Sequence, residues 1–198
     1  MVSETRVPPR VNVARDVLIG QLGFACFIAL CVALHPGLVL KANEGGMSNY
    51  GVHVKTVLPY SIALGLPALT TFRAQHLLQP TNHRERTFRG LLRLYCALIT
   101  LTLLTTYGYT LDTTLKDAHI VVGVAITLFE TVASIWLYRA LRQRPFVLVA
   151  QLAGAVLAVL TFVGVLHLLF LTQLMTGGAF AVLLVRASRT FARATPSQ

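Results

Sequence analysis

Long apolar runs separated by short polar segments dominate the pattern of this chain. Five runs reach the roughly 17 to 25 residues that a membrane-spanning helix needs. They cover residues 17–35, 54–73, 91–108, 118–138 and 146–186. The last run has the length of two helices, so we expect a turn near Val165 to Leu168 between helices over 146–165 and 168–186. The pattern therefore predicts an all-α, polytopic transmembrane bundle of six helices, with residues 1–198 forming one integral membrane domain.

The composition favours a membrane protein over a soluble one. The chain is 55% hydrophobic and 12% charged, whereas soluble proteins carry about 25% charged residues. Its net charge of +10 comes from short basic clusters between the apolar runs, not from one basic patch of the kind that binds nucleic acid. We therefore expect membrane lipids as partners, and no nucleic acid.

Arginines and lysines divide between the two ends of the predicted helices. All fourteen arginines precede the first helix, follow the sixth, or lie in the second-to-third and fourth-to-fifth connections. The three lysines, Lys41, Lys55 and Lys116, lie at the other end. Cations concentrate on the cytoplasmic side of membrane proteins. This distribution predicts a multi-pass protein of the cell (inner) membrane with both termini cytoplasmic, a basic cytoplasmic loop over 74–90 and a flexible tail over 187–198.

Two of the predicted helices carry polar stripes. Polar or small residues recur every three or four positions on the fourth helix, the spacing that keeps them on one face. The stripe consists of His119, Gly123, Thr127, Glu130, Ser134 and Tyr138. A similar stripe on the second helix consists of His53, Thr56, Tyr60, Pro67 and Thr71. Because a polar stripe is costly against lipid, both should face the bundle interior or a cavity, with His53 and His119 directed toward one another.

Glu130 is the only acidic residue deep within a predicted span. A carboxylate there is usually protonated, paired or placed in a wet cavity. Gln21 and Gln151 are its candidate partners at comparable depth. Two interpretations stay open: a functional group that carries protons, holds a cation or contacts a polar headgroup, and a neutral structural acid.

The glycine-rich stretch EGGMSNYG, residues 44–51, lies in the longest outward loop, over about 36–53. Its composition is typical of a compact turn, and its position makes it a candidate lid over a cavity. An anionic headgroup could bind where the next helix begins. The candidate ligand-binding residues are Glu130, Tyr60, Thr127, Glu44, Asn49 and Lys55.

Four histidines and three carboxylates fall at the outer end of the predicted bundle. These are ligand types that zinc prefers, although no local metal-binding motif accompanies them. The candidate metal ligands are His35, His53, His119, His167 and Asp117, and zinc is the one candidate cofactor. The alternative is a set of ordinary interfacial histidines.

Two short motifs, HPG at 35–37 and SNYG at 48–51, accompany this topology. With them the chain resembles bacterial members of the DRAM/Frag-like six-helix membrane proteins. That resemblance implies a part in membrane lipid organisation and no established reaction. The outer histidines and Asp117 also supply the residue types of membrane ceramidase-like hydrolases, without the seventh helix or the histidine spacing of that family.

The predicted function follows from the stripes and the loop. We expect an outward-facing polar cavity between the first, second and fourth helices, in a protein that binds or moves a lipid or other amphiphile or that acts as a membrane partner of an envelope complex. One alternative is a metal-dependent, membrane-embedded hydrolase that uses the outer histidines with Asp112, Asp117 or Glu44. Another is a structural membrane subunit.

Overall fold

The computed structural model describes residues 13–108, 112–142 and 145–193. Within these ranges the chain forms seven α-helices, one short 3₁₀ helix and no strand. In order they are α1 (Val13–Leu34), α2 (Leu38–Gly45), the 3₁₀ helix (Met47–Tyr50), α3 (Val57–Leu77), α4 (His83–Gly108), α5 (Thr113–Leu141), α6 (Pro145–Phe162) and α7 (Leu169–Arg193). The prediction of an all-α chain is confirmed.

Five helices of the described chain, α1, α4, α5, α6 and α7, are long and apolar enough to cross a membrane. Helix α3 has a similar length, 21 residues, but does not belong to these five. Large apolar side chains point outward along the bundle; Leu128 is 63% exposed and Val156 is 59% exposed. Lipid tails solvate such a surface, whereas soluble monomers avoid large exposed apolar patches. The helices are therefore those of a membrane protein.

Residue contacts show that α1 and α3, α3 and α4, and α4 and α5 pack antiparallel. Helix α7 packs against α1, α5 and α6. Between α3 and α4, the Tyr60 hydroxyl lies 3.5 Å from Oγ1 of Thr106, and Cys96 Sγ donates to the Ala68 carbonyl at 3.3 Å. This alternation gives the bundle two ends. We call the end with α2 and the 3₁₀ helix the capped end, and the opposite end the basic end.

The segment over 74–90 is mostly helical, so its prediction as a loop is wrong. Helix α3 continues to Leu77 and α4 begins at His83. The Asn82 side chain accepts a hydrogen bond from the Glu85 N–H at 2.9 Å, and the Glu85 carboxylate accepts one from the Thr81 N–H at 2.6 Å. This arrangement resembles a capping box. Local hydrogen bonds therefore start α4 inside a segment that hydropathy assigns to a loop.

The tail predicted over 187–198 is also shorter than expected. Helix α7 extends to Arg193, and Ala187 and Ser188 are fully buried. The Phe191 ring packs against Phe88, with 5.0 Å between the ring centroids. Residues 187–193 are therefore packed helix, because this apolar face is buried against α4. Residues 194–198 lie outside the described residues.

A glycine ends α6 and sets the turn into α7. Gly164 has φ +79°. Its N–H donates to the Thr161 carbonyl at 3.0 Å, and the Val165 N–H donates to the Leu160 carbonyl at 2.9 Å. This pair of bonds is a Schellman motif, for which glycine is the usual residue. The turn therefore covers 163–168, and Gly164 is the sequence signal for it.

Candidate functional site

A cavity of about 100 Å³ lies inside the bundle, below the capped end. We call it the polar cavity. Its walls come from α1, α3, α4, α5 and α7, and its polar side chains include Gln21, Tyr60, Tyr95, His119, Thr127 and Glu130. The cavity therefore brings together the candidate residues Tyr60, Thr127 and Glu130, and it has more walls than the three helices expected from the sequence.

Glu130 is 8% exposed. Within the described chain its carboxylate makes no hydrogen bond and no ion pair. Gln21, one of its two candidate partners, lines the same cavity and donates to the Tyr95 hydroxyl at 3.4 Å. The other, Gln151, is fully buried on α6 and does not line the cavity. Glu130 is thus a buried acid that faces open space.

Tyr95 is a cavity residue that the sequence analysis assigned no role at the site. Its ring is 6% exposed and lies 5.0 Å from the Phe180 ring, centroid to centroid. Tyr95 lies near the start of the helix predicted over 91–108, so the sequence does not distinguish it from an interfacial aromatic. Only the packing of α4 against α7 and α5 places its hydroxyl beside Gln21.

The stretch EGGMSNYG forms the roof of the polar cavity through Met47 and Ser48. Gly46 has φ +87°, a conformation that favours glycine, and it separates α2 from the 3₁₀ helix. The Met47 N–H donates to Oε1 of Gln173 on α7 at 2.8 Å. The Thr56 hydroxyl donates to the Tyr50 carbonyl at 2.6 Å. The stretch is therefore held on both sides, and the segment predicted as an outward loop is built from helical turns.

Three other candidate ligand-binding residues do not line the cavity. Glu44 and Lys55 are exposed at the capped end. Asn49 Nδ2 donates to the Gly46 carbonyl at 3.0 Å and to the Lys41 carbonyl at 3.2 Å. Asn49 thus stabilises the backbone of the roof.

His53 and His119 do not face one another, contrary to the expectation from the polar stripes. Helix α3 begins at Val57, so His53 lies before the helix whose period was extended to it. The His53 ring packs edge-on against His35, with 4.2 Å between the centroids. His119 lines the polar cavity, and its Nδ1 lies 2.9 Å from Oγ1 of Thr105.

The five candidate metal ligands do not converge. No group of three histidine, cysteine or acidic side chains in the described residues could hold a metal ion. The reason is geometric: His35 and His53 pair at the capped end, His119 points into the bundle, and His167 and Asp117 are exposed. These residues therefore do not form the zinc site considered from the sequence.

Asp112 and His53 at the capped end both have lowered pKa values. The Asp112 carboxylate caps α5 by accepting from the N–H groups of Thr114 at 2.6 Å and Leu115 at 3.3 Å. These backbone hydrogen bonds lower the pKa of Asp112. Desolvation, and after it the positive charges of neighbouring basic groups, lower the pKa of His53. Asp112 is thus engaged in capping a helix, and His53 is held toward its neutral form.

A second cavity, of about 450 Å³, opens between α1 and α7. We call it the apolar groove. Small and apolar residues form its walls, among them Ala25, Ile28, Ala29, Leu174, Gly178 and Ala181. Gln21, Phe24 and Gly177 line both the groove and the polar cavity. The two cavities therefore adjoin.

Gly177 and Gly178 create this space without breaking the helix. Helix α7 is continuous from Leu169 to Arg193. A Cβ added at either glycine would have no neighbour within 4 Å. The missing side chains at these two positions therefore leave the space.

No protein-family model matches this chain, and no curated protein and no solved structure matches it. The resemblance to the DRAM/Frag-like proteins therefore stays a prediction.

Proposed function

We propose that this protein binds a long-chain amphiphile inside the bilayer, with the chain in the apolar groove and the head group in the polar cavity. The observation that carries the proposal is the shared wall of the two cavities at Gln21, Phe24 and Gly177. An apolar chain needs no hydrogen-bond partner, so the groove suits it. A polar head group in the membrane interior needs such partners, and the polar cavity supplies them.

The size of the polar cavity limits the head group. Its volume of about 100 Å³ compares with about 30 Å³ for one molecule of liquid water. A head group of a few non-hydrogen atoms fits in this volume. Met47 and Ser48 line the cavity at the capped end, and the shared wall at Gln21, Phe24 and Gly177 places the groove between α1 and α7 next to it.

We propose in addition that α3 is a sixth span and that both termini are cytoplasmic. The antiparallel order of the helices and the separation of arginines from lysines support this topology. The polar cavity then lies toward the outer half of the bilayer, beneath a roof that faces away from the cytoplasm.

Filling the groove tests the proposed function. Gly178→Leu adds a side chain in open space on the groove wall, and Gly65→Leu adds the same side chain on α3, where a Cβ also meets nothing within 4 Å. Radiolabelled hexadecanol, a single chain with a small neutral head, is added to the purified protein in dodecyl maltoside. We expect the wild type and Gly65→Leu to retain the alcohol and Gly178→Leu to lose it.

Equal retention by all three proteins would refute binding in the groove. Circular dichroism and size-exclusion elution of each variant establish that the helical bundle is intact in the comparison.

A further inference from the structure

The threonines around the polar cavity present hydrogen-bond acceptors to it. Thr102, Thr127 and Thr176 all line the cavity. Each hydroxyl donates its hydrogen to a backbone carbonyl one turn earlier in its own helix, at 2.8, 3.0 and 3.1 Å respectively. A hydroxyl has one donor and two acceptor lone pairs. With the donor engaged, each of the three offers oxygen lone pairs to a ligand.

Glu130 adds the one carboxyl group among the described residues of the cavity wall. It is 92% buried, as follows from its exposed fraction of 8%, and it has no hydrogen bond or ion pair within the described chain. No lysine or arginine of the described residues lines the polar cavity or the apolar groove. Besides the donors of Gln21 and Tyr95, the described wall thus holds three threonine oxygens and one carboxyl group, and no fixed cation.

These properties select among small head groups. A carboxylate or phosphate head has acceptors only and would face Glu130 without a balancing cation. A hydroxyl offers one donor. An ammonium group offers three donors and a positive charge, which complements Glu130 and the threonine oxygens.

We propose that the amphiphile is a long-chain primary amine whose ammonium group binds Glu130 and the threonine oxygens, while its alkyl chain occupies the apolar groove. This inference rests on the proposed function and names its ligand class. A bound ammonium favours the ionised form of Glu130, and the pair then forms a charge-assisted hydrogen bond, the stronger kind of hydrogen bond in proteins. The threonines accept the remaining N–H groups.

Comparison of two probes with the same chain tests the head group. Radiolabelled hexadecylamine is protonated at pH 7, since the pKa of an alkyl ammonium is about 10, and hexadecanol is neutral. Retention of each by the purified protein in dodecyl maltoside is measured relative to Gly178→Leu. We expect wild type to prefer the amine, and Glu130→Gln to retain about tenfold less amine, a larger loss than its loss of the alcohol.

A second variant keeps the test decisive if Glu130→Gln folds poorly. Thr127→Val removes one acceptor at nearly constant shape, and we expect it to weaken amine retention selectively as well. Ethylamine, which has the head without the chain, should not displace hexadecylamine at equal concentration.

Equal retention of amine and alcohol by wild type would overturn the inference, and so would equal loss of both in folded Glu130→Gln. Displacement of hexadecylamine by ethylamine would also overturn it, because it would indicate a site for small cations. Failure of the proposed function gives a separate result: Gly178→Leu would then retain as much hexadecanol as wild type.

Discussion

At the scale of single residues, the sequence already singles out Glu130 and Thr127. Their spacing of three places them on one helix face, and both line the polar cavity. The same spacing rule fails for His53, because α3 begins only at Val57 and the periodicity does not extend to residues outside the helix. Tyr95 could not be assigned to the site at all, since its place depends on contacts between helices distant in sequence.

Asp112 provides a test of the helix cap at the capped end. Its lowered pKa means that the charged carboxylate stabilises the fold. This stabilisation is present above the ordinary aspartate pKa of about 4 and is lost as the pH falls through the lower value of the folded state. We expect Asp112→Ala to melt below wild type at pH 7, because two N–H groups of α5 lose their acceptor.

Asp112→Asn is the matched variant, because asparagine also caps helices and does not titrate. Its melting temperature in detergent should match wild type at pH 7. The difference in melting temperature between Asp112→Asn and Asp112→Ala should persist in acid. The difference between wild type and Asp112→Ala should shrink as the pH falls. If wild type and Asp112→Asn respond identically to acid, the charged cap does not contribute.

At the scale of elements, hydropathy locates the long helices and misses the structure between them. Residues 36–53 were predicted as a loop because they are polar and contain glycine. Within this segment α2 buries Leu38 and Ala42, and the 3₁₀ helix buries Tyr50. An eight-residue helix is marginal on its own. It is stabilised by packing on α7, to which no local pattern points.

The roof over the polar cavity should loosen when its anchor on α7 is removed. Gln173→Ala deletes the oxygen that accepts from the Met47 N–H. One such hydrogen bond contributes about 1 kcal/mol, so we expect amide exchange at Met47 to accelerate roughly fivefold. Hydrogen-exchange mass spectrometry of the peptide over 44–51 measures this change.

Gln79→Ala is the control for the roof, because Gln79 is an exposed glutamine in the turn between α3 and α4. Exchange over 44–51 should be unaffected in this variant. Unchanged exchange in Gln173→Ala would show that the roof is held by other contacts.

At the scale of the whole molecule, the class of protein follows from composition and the binding site does not. Apolar runs and a low charge content suffice to predict a helical membrane protein, and the five long apolar helices agree. The apolar groove joins α1 to α7, which are separated by more than a hundred residues. Its small residues Ala25, Ala29 and Gly178 do not indicate a groove in the sequence, because the groove forms only when α1 and α7 pack side by side.

The proposed topology is tested by the accessibility of the two ends. In a variant without native cysteines, Lys55→Cys reports on the capped end and Arg86→Cys on the basic end. We expect a membrane-impermeant maleimide to label Lys55→Cys on intact cells and to reach Arg86→Cys only after permeabilisation. Labelling of Arg86→Cys on intact cells would reverse the orientation.

The central claim is that one amphiphile occupies the groove and the cavity together. The most direct measurement is photo-crosslinking of the reconstituted protein with a hexadecanol analogue that carries a diazirine at the end of its chain, followed by peptide mapping. We expect crosslinks within 24–32 of α1 and 170–181 of α7, which form the groove, and their loss in Gly178→Leu but not in Gly65→Leu. Crosslinks spread over the outward faces of α5 and α6, without enrichment in the groove, would contradict the account.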